Sequence, residues 1–161
     1  MYVAGDAEIV SAPQAGPPKR LTYYDGDCEL STSRIVHVVE NAADAKFRNL
    51  LVELLPALGD SSRGPAPRLA LGNVKVGKRF SDERVSAFLL QLENESGAEV
   101  TGPAAVASPY DDPIELTQPQ GVPRELQQFT DLAWIGPGAR GMLSNRTRHR
   151  ARAVVIAVGR L

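Results

Sequence analysis

Four arginines on alternate positions, Arg146, Arg148, Arg150 and Arg152, run directly into the apolar stretch Ala153-Val154-Val155-Ile156-Ala157-Val158. Few patterns restrict a backbone more. In a helix, residues two apart are turned by about 200° from each other, so the four guanidinium groups would scatter around the surface. In an extended chain they project from one face at steps of roughly 6.6–6.8 Å. The segment is therefore expected to be a strand. Its arginine face continues into Val154, Ile156 and Val158, and the opposite face carries Thr147, His149, Ala151, Ala153, Val155 and Ala157. Apolar residues on both faces imply that the C-terminal half is covered on both sides. The arginine half is expected to emerge as an exposed ladder.

Charge is divided along the chain in the same sense. All 19 Asp and Glu lie at or before Asp131, which leaves residues 1–131 at −7 and residues 132–161 at +6. A basic segment over 140–152, holding Arg140, Arg146, Arg148, Arg150 and Arg152, is expected to contact nucleic-acid phosphate or an acidic partner. Neutralising four phosphates would give a log–log salt slope of about −3 to −4. No aromatic residue interleaves these arginines, so backbone contact is expected rather than base stacking. The competing reading is internal neutralisation by the acidic body.

Length and composition set the frame. A chain of 161 residues suits one domain with a sizeable core. Its 14 Gly and 12 Pro predict many turns. The single cysteine, Cys28, excludes an intramolecular disulfide, and two histidines with one cysteine make no ordinary transition-metal site without carboxylates. No cofactor is called for. No apolar run approaches the roughly 20 residues that span a bilayer. The acidic opening Met-Tyr-Val-Ala-Gly-Asp-Ala-Glu lacks the basic start of a signal peptide. A cytoplasmic location, or one inside a virus particle, is expected, with no membrane contact.

Periodicity gives the elements. Residues 1–19, rich in Pro and Gly, read as an N-terminal arm. Arg20–Tyr24 reads as a short strand. Ile35 to Leu55 repeats apolar residues at three- and four-residue steps, which predicts a helix; alternatively Ile35-Val36-His37-Val38-Val39 is a strand and the helix begins near Ala42. Arg68–Val76 reads as a strand or a bulged hairpin around Gly72-Asn73. Ser81, with Asp82 and Glu83 after it, resembles a helix cap, and Val85, Phe88, Leu89 and Leu92 form one stripe behind it. Residues 103–122 read as a Pro-rich loop. Pro123 opens a third predicted helix through Leu126 and Phe129. Gly136-Pro137-Gly138-Ala139-Arg140-Gly141 reads as a hinge delivering the arginines. The expected fold is a single α/β or α+β domain over 20–161, with a modest mixed sheet and about three helices.

One loop has the composition of an active site: Tyr24-Asp25-Gly26-Asp27-Cys28 follows a strand. It is similar to the Tyr-Asp-Gly-x-Cys-x-x-Cys motif of the DCC family of thiol–disulfide oxidoreductases, and residues 20–95 cover the resemblance. The second cysteine of that motif corresponds to Ser31 here, so the resemblance implies at most monothiol redox chemistry through Cys28. Asp25 and Asp27 also resemble the Asp-x-Asp strand end of haloacid-dehalogenase-type phosphotransferases. That resemblance implies a nucleophile, a proton donor and Mg²⁺. A third pattern, the calcium loop, wants glycine where Leu30 stands. The remaining reading is a polar structural turn. His37, amid Ile35, Val36, Val38 and Val39, reads as a hydrogen-bonded structural histidine.

These observations together predict a non-enzymatic accessory or assembly protein of the virion or ribonucleoprotein type. It would contact a protein partner or itself through the body, and RNA, DNA or an acidic partner through the arginines. The alternative is a small enzyme working through Asp25, Asp27 or Cys28.

Overall fold

The computed structural model describes residues 1–31, 37–53, 66–82, 84–127 and 131–158. Among them every regular element is a strand and none is a helix. The α/β expectation is thereby corrected to an all-β fold. The chain divides into two compact units, Met1–Leu54 and Leu55–Leu161.

The first unit holds β1 (Tyr2–Val3), β2 (Ala7–Pro13), β3 (Lys19–Tyr23), β4 (His37–Asn41) and β5 (Asn49–Leu50). β2 is the centre of an antiparallel sheet ordered β3-β2-β4, and β1 pairs with β5. Residues 1–19, read as an arm, therefore supply two strands, with Val3 and Ile9 buried. The predicted helix from Ala42 does not form over the described residues 42–53. Instead Asn41 closes a turn, its Nδ2 donating to the Ala45 carbonyl at 2.7 Å.

The second unit begins with β6 (Arg68–Ala70), β7 (Lys75–Ser81), β8 (Val85–Leu92), β9 (Gly97–Thr101) and β10 (Ala104–Ala107). It continues with β11 (Ile114–Thr117), β12 (Arg124–Leu126), β13 (Leu132–Ile135), β14 (Arg140–Ser144) and β15 (Ala151–Val158). Two antiparallel five-stranded sheets result, ordered β13-β10-β15-β8-β7 and β12-β11-β14-β9-β6. They share one core. Phe88, Leu90 and Leu92 of β8, Val106 of β10 and Val155 of β15 meet Val100, Ile114, Leu116, Leu126 and Leu143 of the other sheet. The inward alanines Ala151 and Ala153 of β15 pair with Leu92 and Leu90 of β8, so small side chains stand beside large ones as close packing requires.

The two further predicted helices are strands for identifiable reasons. β8 is buried on both faces, so its apolar residues fall at all positions and mimic a helical stripe. The cap signature before it serves a hairpin instead: Asp82 Oδ1 accepts from the Arg84 amide at 3.1 Å, and the Asp82 amide donates to the Val85 carbonyl at 2.8 Å. The segment opened by Pro123 pairs β12 with β11, while Ala133 and Ile135 of β13 enter the core. The Pro-rich stretch 103–122 contains both β10 and β11. No helix among the described residues is long and apolar enough to cross a membrane.

Candidate functional site

In the first unit, the Asp25-Gly26-Asp27-Cys28 loop is a turn bound by its own polar groups. Asp25 Oδ1 accepts from the Gly5 amide at 2.8 Å, and Asp27 Oδ2 accepts from the Tyr24 amide at 2.6 Å. The Gly26 amide donates to the Val3 carbonyl, and the Val3 amide to the Asp27 carbonyl, which ties the loop to β1. Both carboxylates thus hold backbone. Cys28 is half-buried, its Sγ 3.7 Å from the Gly26 carbonyl oxygen, and no helix begins in the described residues just after it. Tyr23 donates to Glu29 Oε2 at 3.2 Å, and partial burial followed by the Glu29 charge holds its hydroxyl above the ordinary pKa of 10. His37 Nδ1 lies 3.0 Å from Ser11 Oγ across the β2–β4 pair, a structural placement.

The arginines do not form a ladder. Asn145 to Arg150 is a tight connection, and the strand starts only at Ala151. The organiser is Asn145, which is fully buried. Its Nδ2 donates to the carbonyls of Leu92, Glu93 and His149 at 2.9, 3.1 and 2.7 Å, and its Oδ1 accepts from the Thr147 amide and hydroxyl, each at 2.8 Å. A residue this short that serves two neighbouring turns forces the backbone to curl rather than extend. The guanidinium groups then meet the protein's own residues. Arg150 contacts Glu93 at 2.9 Å, Arg146 contacts Glu115 at 3.2 Å, and Arg140 approaches Glu99 at 3.9 Å. Arg152 lies over the Tyr110 ring, 3.4 Å from its centroid. Arg148 is exposed.

The glycine-rich segment is equally ordered. Gly138, at φ +72°, sits in a turn closed by the Ala139 amide donating to the Gly136 carbonyl at 3.0 Å. The turn is clasped to Gly102: the Gly102 amide donates to the Ala139 carbonyl at 2.9 Å, and the Gly138 amide to the Gly102 carbonyl at 3.1 Å. A Cβ on Gly102 would collide with the carbonyl oxygens of Ile135 and Gly136, so only glycine permits this approach. The segment is a fixed corner between β13 and β14, not a hinge.

This corner forms one wall of an open cleft of about 600 Å³, lined by Gln118, Pro119, Gln120, Trp134, Gly136, Gly138, Ala139 and Arg140. Trp134, on the edge strand β13, is 53% exposed. The opposite wall is the turn Gln118-Pro119-Gln120-Gly121, closed by the Gly121 amide donating to the Gln118 carbonyl at 3.0 Å. Gln118 Nε2 donates to the Trp134 carbonyl at 3.2 Å, which fixes that wall against the indole strand. Gln120 has φ +65°, in the third turn position where glycine is usual. An indole face, two carboxamides and one guanidinium therefore converge on one concavity, and no carboxylate lines it.

No protein-family model matches the chain, and no curated protein does. Eighteen chains of solved structures match it, three of them as follows. One is a cupin domain from Bordetella pertussis Tohama I, 16% identical over 55% of this chain and 94% of that one, with a TM-score of 0.43. Another is a cupin 2 conserved barrel domain protein from Salinispora arenicola CNS-205, 14% identical over 66% and 88%, with a TM-score of 0.44. The third is a protein from Neisseria meningitidis, 12% identical over 53% and 83%, with a TM-score of 0.41.

The expected virion or ribonucleoprotein assembly protein, structural and RNA-binding, is corrected by the fate of its arginines. The arginine ladder that the expectation required is not formed, because Asn145 curls the segment and carboxylates of the same unit take three of its cations. Among the described residues, no group of three or more His, Cys, Asp or Glu is placed to hold a metal ion. The sequence reading named Arg140 but missed Trp134, Gln118 and Gln120. The available signal was a lone tryptophan two residues before Gly136-Pro137-Gly138.

Proposed function

We propose that the chain binds a small polyhydroxylated ligand, with the cleft between Gln118 and Arg140 as the recognition site. The observation that carries the reading is Trp134. A lone tryptophan is the largest apolar group a chain can bury, yet this one stands more than half exposed in a concavity among polar side chains. The indole offers a flat, electron-rich face to the C–H bonds of a sugar ring. The carboxamides of Gln118 and Gln120 each carry donors and an acceptor, the mixture that hydroxyl groups need. The cleft volume lies inside the range of small-molecule sites, roughly 300–1,000 Å³.

Gln120 adds support. A glutamine at φ +65° costs conformational energy that glycine would not. The strain is understandable if the side chain serves the cleft. Replacing Gln120 with Gly should leave melting unchanged or slightly raised while ligand binding weakens.

Because Trp134 is the only tryptophan, intrinsic fluorescence reports on this cleft alone. Titration with a panel of mono- and oligosaccharides should shift its emission. A Cβ at Gly136 meets no atom within 4 Å, so Gly136→Val should fill the cleft without straining the fold. The affinity of Gly136→Val should fall at least about tenfold, equivalent to roughly 1.4 kcal/mol. No emission shift, together with no amide chemical-shift change at residues 118–120 and 134–140, would rule the reading out.

A further inference from the structure

We infer that the ligand of this cleft is a carboxylated sugar, a uronic acid or a similar polyhydroxy carboxylate, with Arg140 as its anion-binding group. The inference rests on the binding reading above and adds the chemical class. Arg140 brings one positive charge to the lining, and no carboxylate lines the cleft beside it. Its side chain is 68% exposed, and its ion pair is a single approach of Nη1 to Glu99 at 3.9 Å. The neighbouring pairs are closer: Arg150–Glu93 closes to 2.9 Å and Arg146–Glu115 to 3.2 Å. Arg140 is therefore the least committed of the three.

A guanidinium presents five N–H donors in a planar fork that matches a carboxylate by two parallel bonds. One cation balances a monoanion, whereas a phosphate dianion would keep an uncompensated charge at this site. The indole and the two carboxamides require that the carboxylate be attached to a hydroxylated ring rather than to a plain aromatic one. Glu99 then acts as an internal competitor, occupying Arg140 until the ligand carboxylate displaces it. This arrangement predicts a gain on mutation, an outcome that a damaged fold cannot imitate.

The test compares glucuronate, glucose and benzoate by Trp134 emission, on the full chain and on Arg140→Gln and Glu99→Gln. Glucuronate should bind roughly tenfold tighter than glucose, the factor expected of a charge-assisted hydrogen-bonded pair. Arg140→Gln should remove that preference and leave glucose binding in place. Glu99→Gln should tighten glucuronate and not glucose. Rising salt should erode the glucuronate preference only. If glucose and glucuronate bind equally, the inference is overturned while the binding reading stands. Benzoate binding as tightly as glucuronate would overturn the hydroxylated class. Silence from all three ligands would remove both the inference and the reading on which it rests.

Discussion

The two sheets of the second unit share a core but treat their outer faces oppositely. In the sheet β13-β10-β15-β8-β7, the outward residues Val154 and Ile156 of β15, Ala105 and Ala107 of β10 and Ala87 and Leu89 of β8 are all buried. In the sheet β12-β11-β14-β9-β6, the outward residues include Glu115, Thr117, Arg140, Met142, Glu99 and Arg68, none of them buried. The inner strands β10, β15 and β8 of the first sheet read as near-continuous apolar runs, whereas its edge strand β13 and strands β9 and β14 of the second sheet alternate. An antiparallel sheet needs only one apolar face. The difference therefore shows where the molecule excludes water twice, and it leaves the outer face of the second sheet to carry the Arg140–Glu99 and Arg146–Glu115 pairs.

The largest effect that would break this contrast is a charge on the outer face of the first sheet. Val154 is fully buried, so Val154→Asp should cost about 3–5 kcal/mol in urea unfolding, approaching the whole stability of a domain this size. The matching change on the second sheet, Met142→Gln at a 44% exposed position, should stay within about 0.5 kcal/mol. Equal costs at the two positions would dissolve the distinction.

Next in size is Asn145, which locks the β14–β15 connection to the β8–β9 turn. Asn145→Ala removes the buried amide that bridges the carbonyls of Leu92, Glu93 and His149 and should cost about 2 kcal/mol. Smaller still are the ion pairs on the polar face. Arg146→Gln and Arg150→Gln should each cost less than about 1 kcal/mol, and that difference should vanish in molar salt. A larger, salt-insensitive loss would mean that these arginines do more than neutralise.

The last test sits in the first unit and serves as a control. Tyr23 has its pKa raised above 10, mainly by burial and then by Glu29. The folded state therefore keeps the proton longer than the unfolded state. Stability is unaffected below about pH 10 and falls as pH rises beyond it. Melting of the wild type should drop more steeply above that pH than melting of Tyr23→Phe, and parallel curves would remove the effect.

The same contrast explains which elements were legible. β15 was expected as a strand because arginine and small residues alternate at its start, and Arg152, Val154 and Ile156 do share one face. β8 was misread as a helix. Val85, Phe88, Leu89 and Leu92 stand at helical intervals only because both faces of the strand are apolar, which erases the period of two. The arginine ladder failed for a different reason. Alternation fixes which way side chains point if the chain is extended, but Asn145 decides that it is not, through acceptors more than 50 residues away. At the cleft, Arg140 was marked by charge. Trp134 and Gln120 carried no periodic signal, since their meeting depends on two turns closing at one corner.

By itself, the sequence determined that β15 is a strand covered on both faces, that no disulfide can form within these 161 residues, and that a basic segment follows an acidic body. These depend on local spacing and composition, which are properties of the chain alone. Only the tertiary structure decided that the body is all-β, that the arginines turn back onto Glu93, Glu99 and Glu115, and that Trp134 shares a cleft with Gln118, Gln120 and Arg140. Each of those outcomes rests on pairings between distant segments. Their free energy comes from burial and hydrogen bonds that no window of sequence contains.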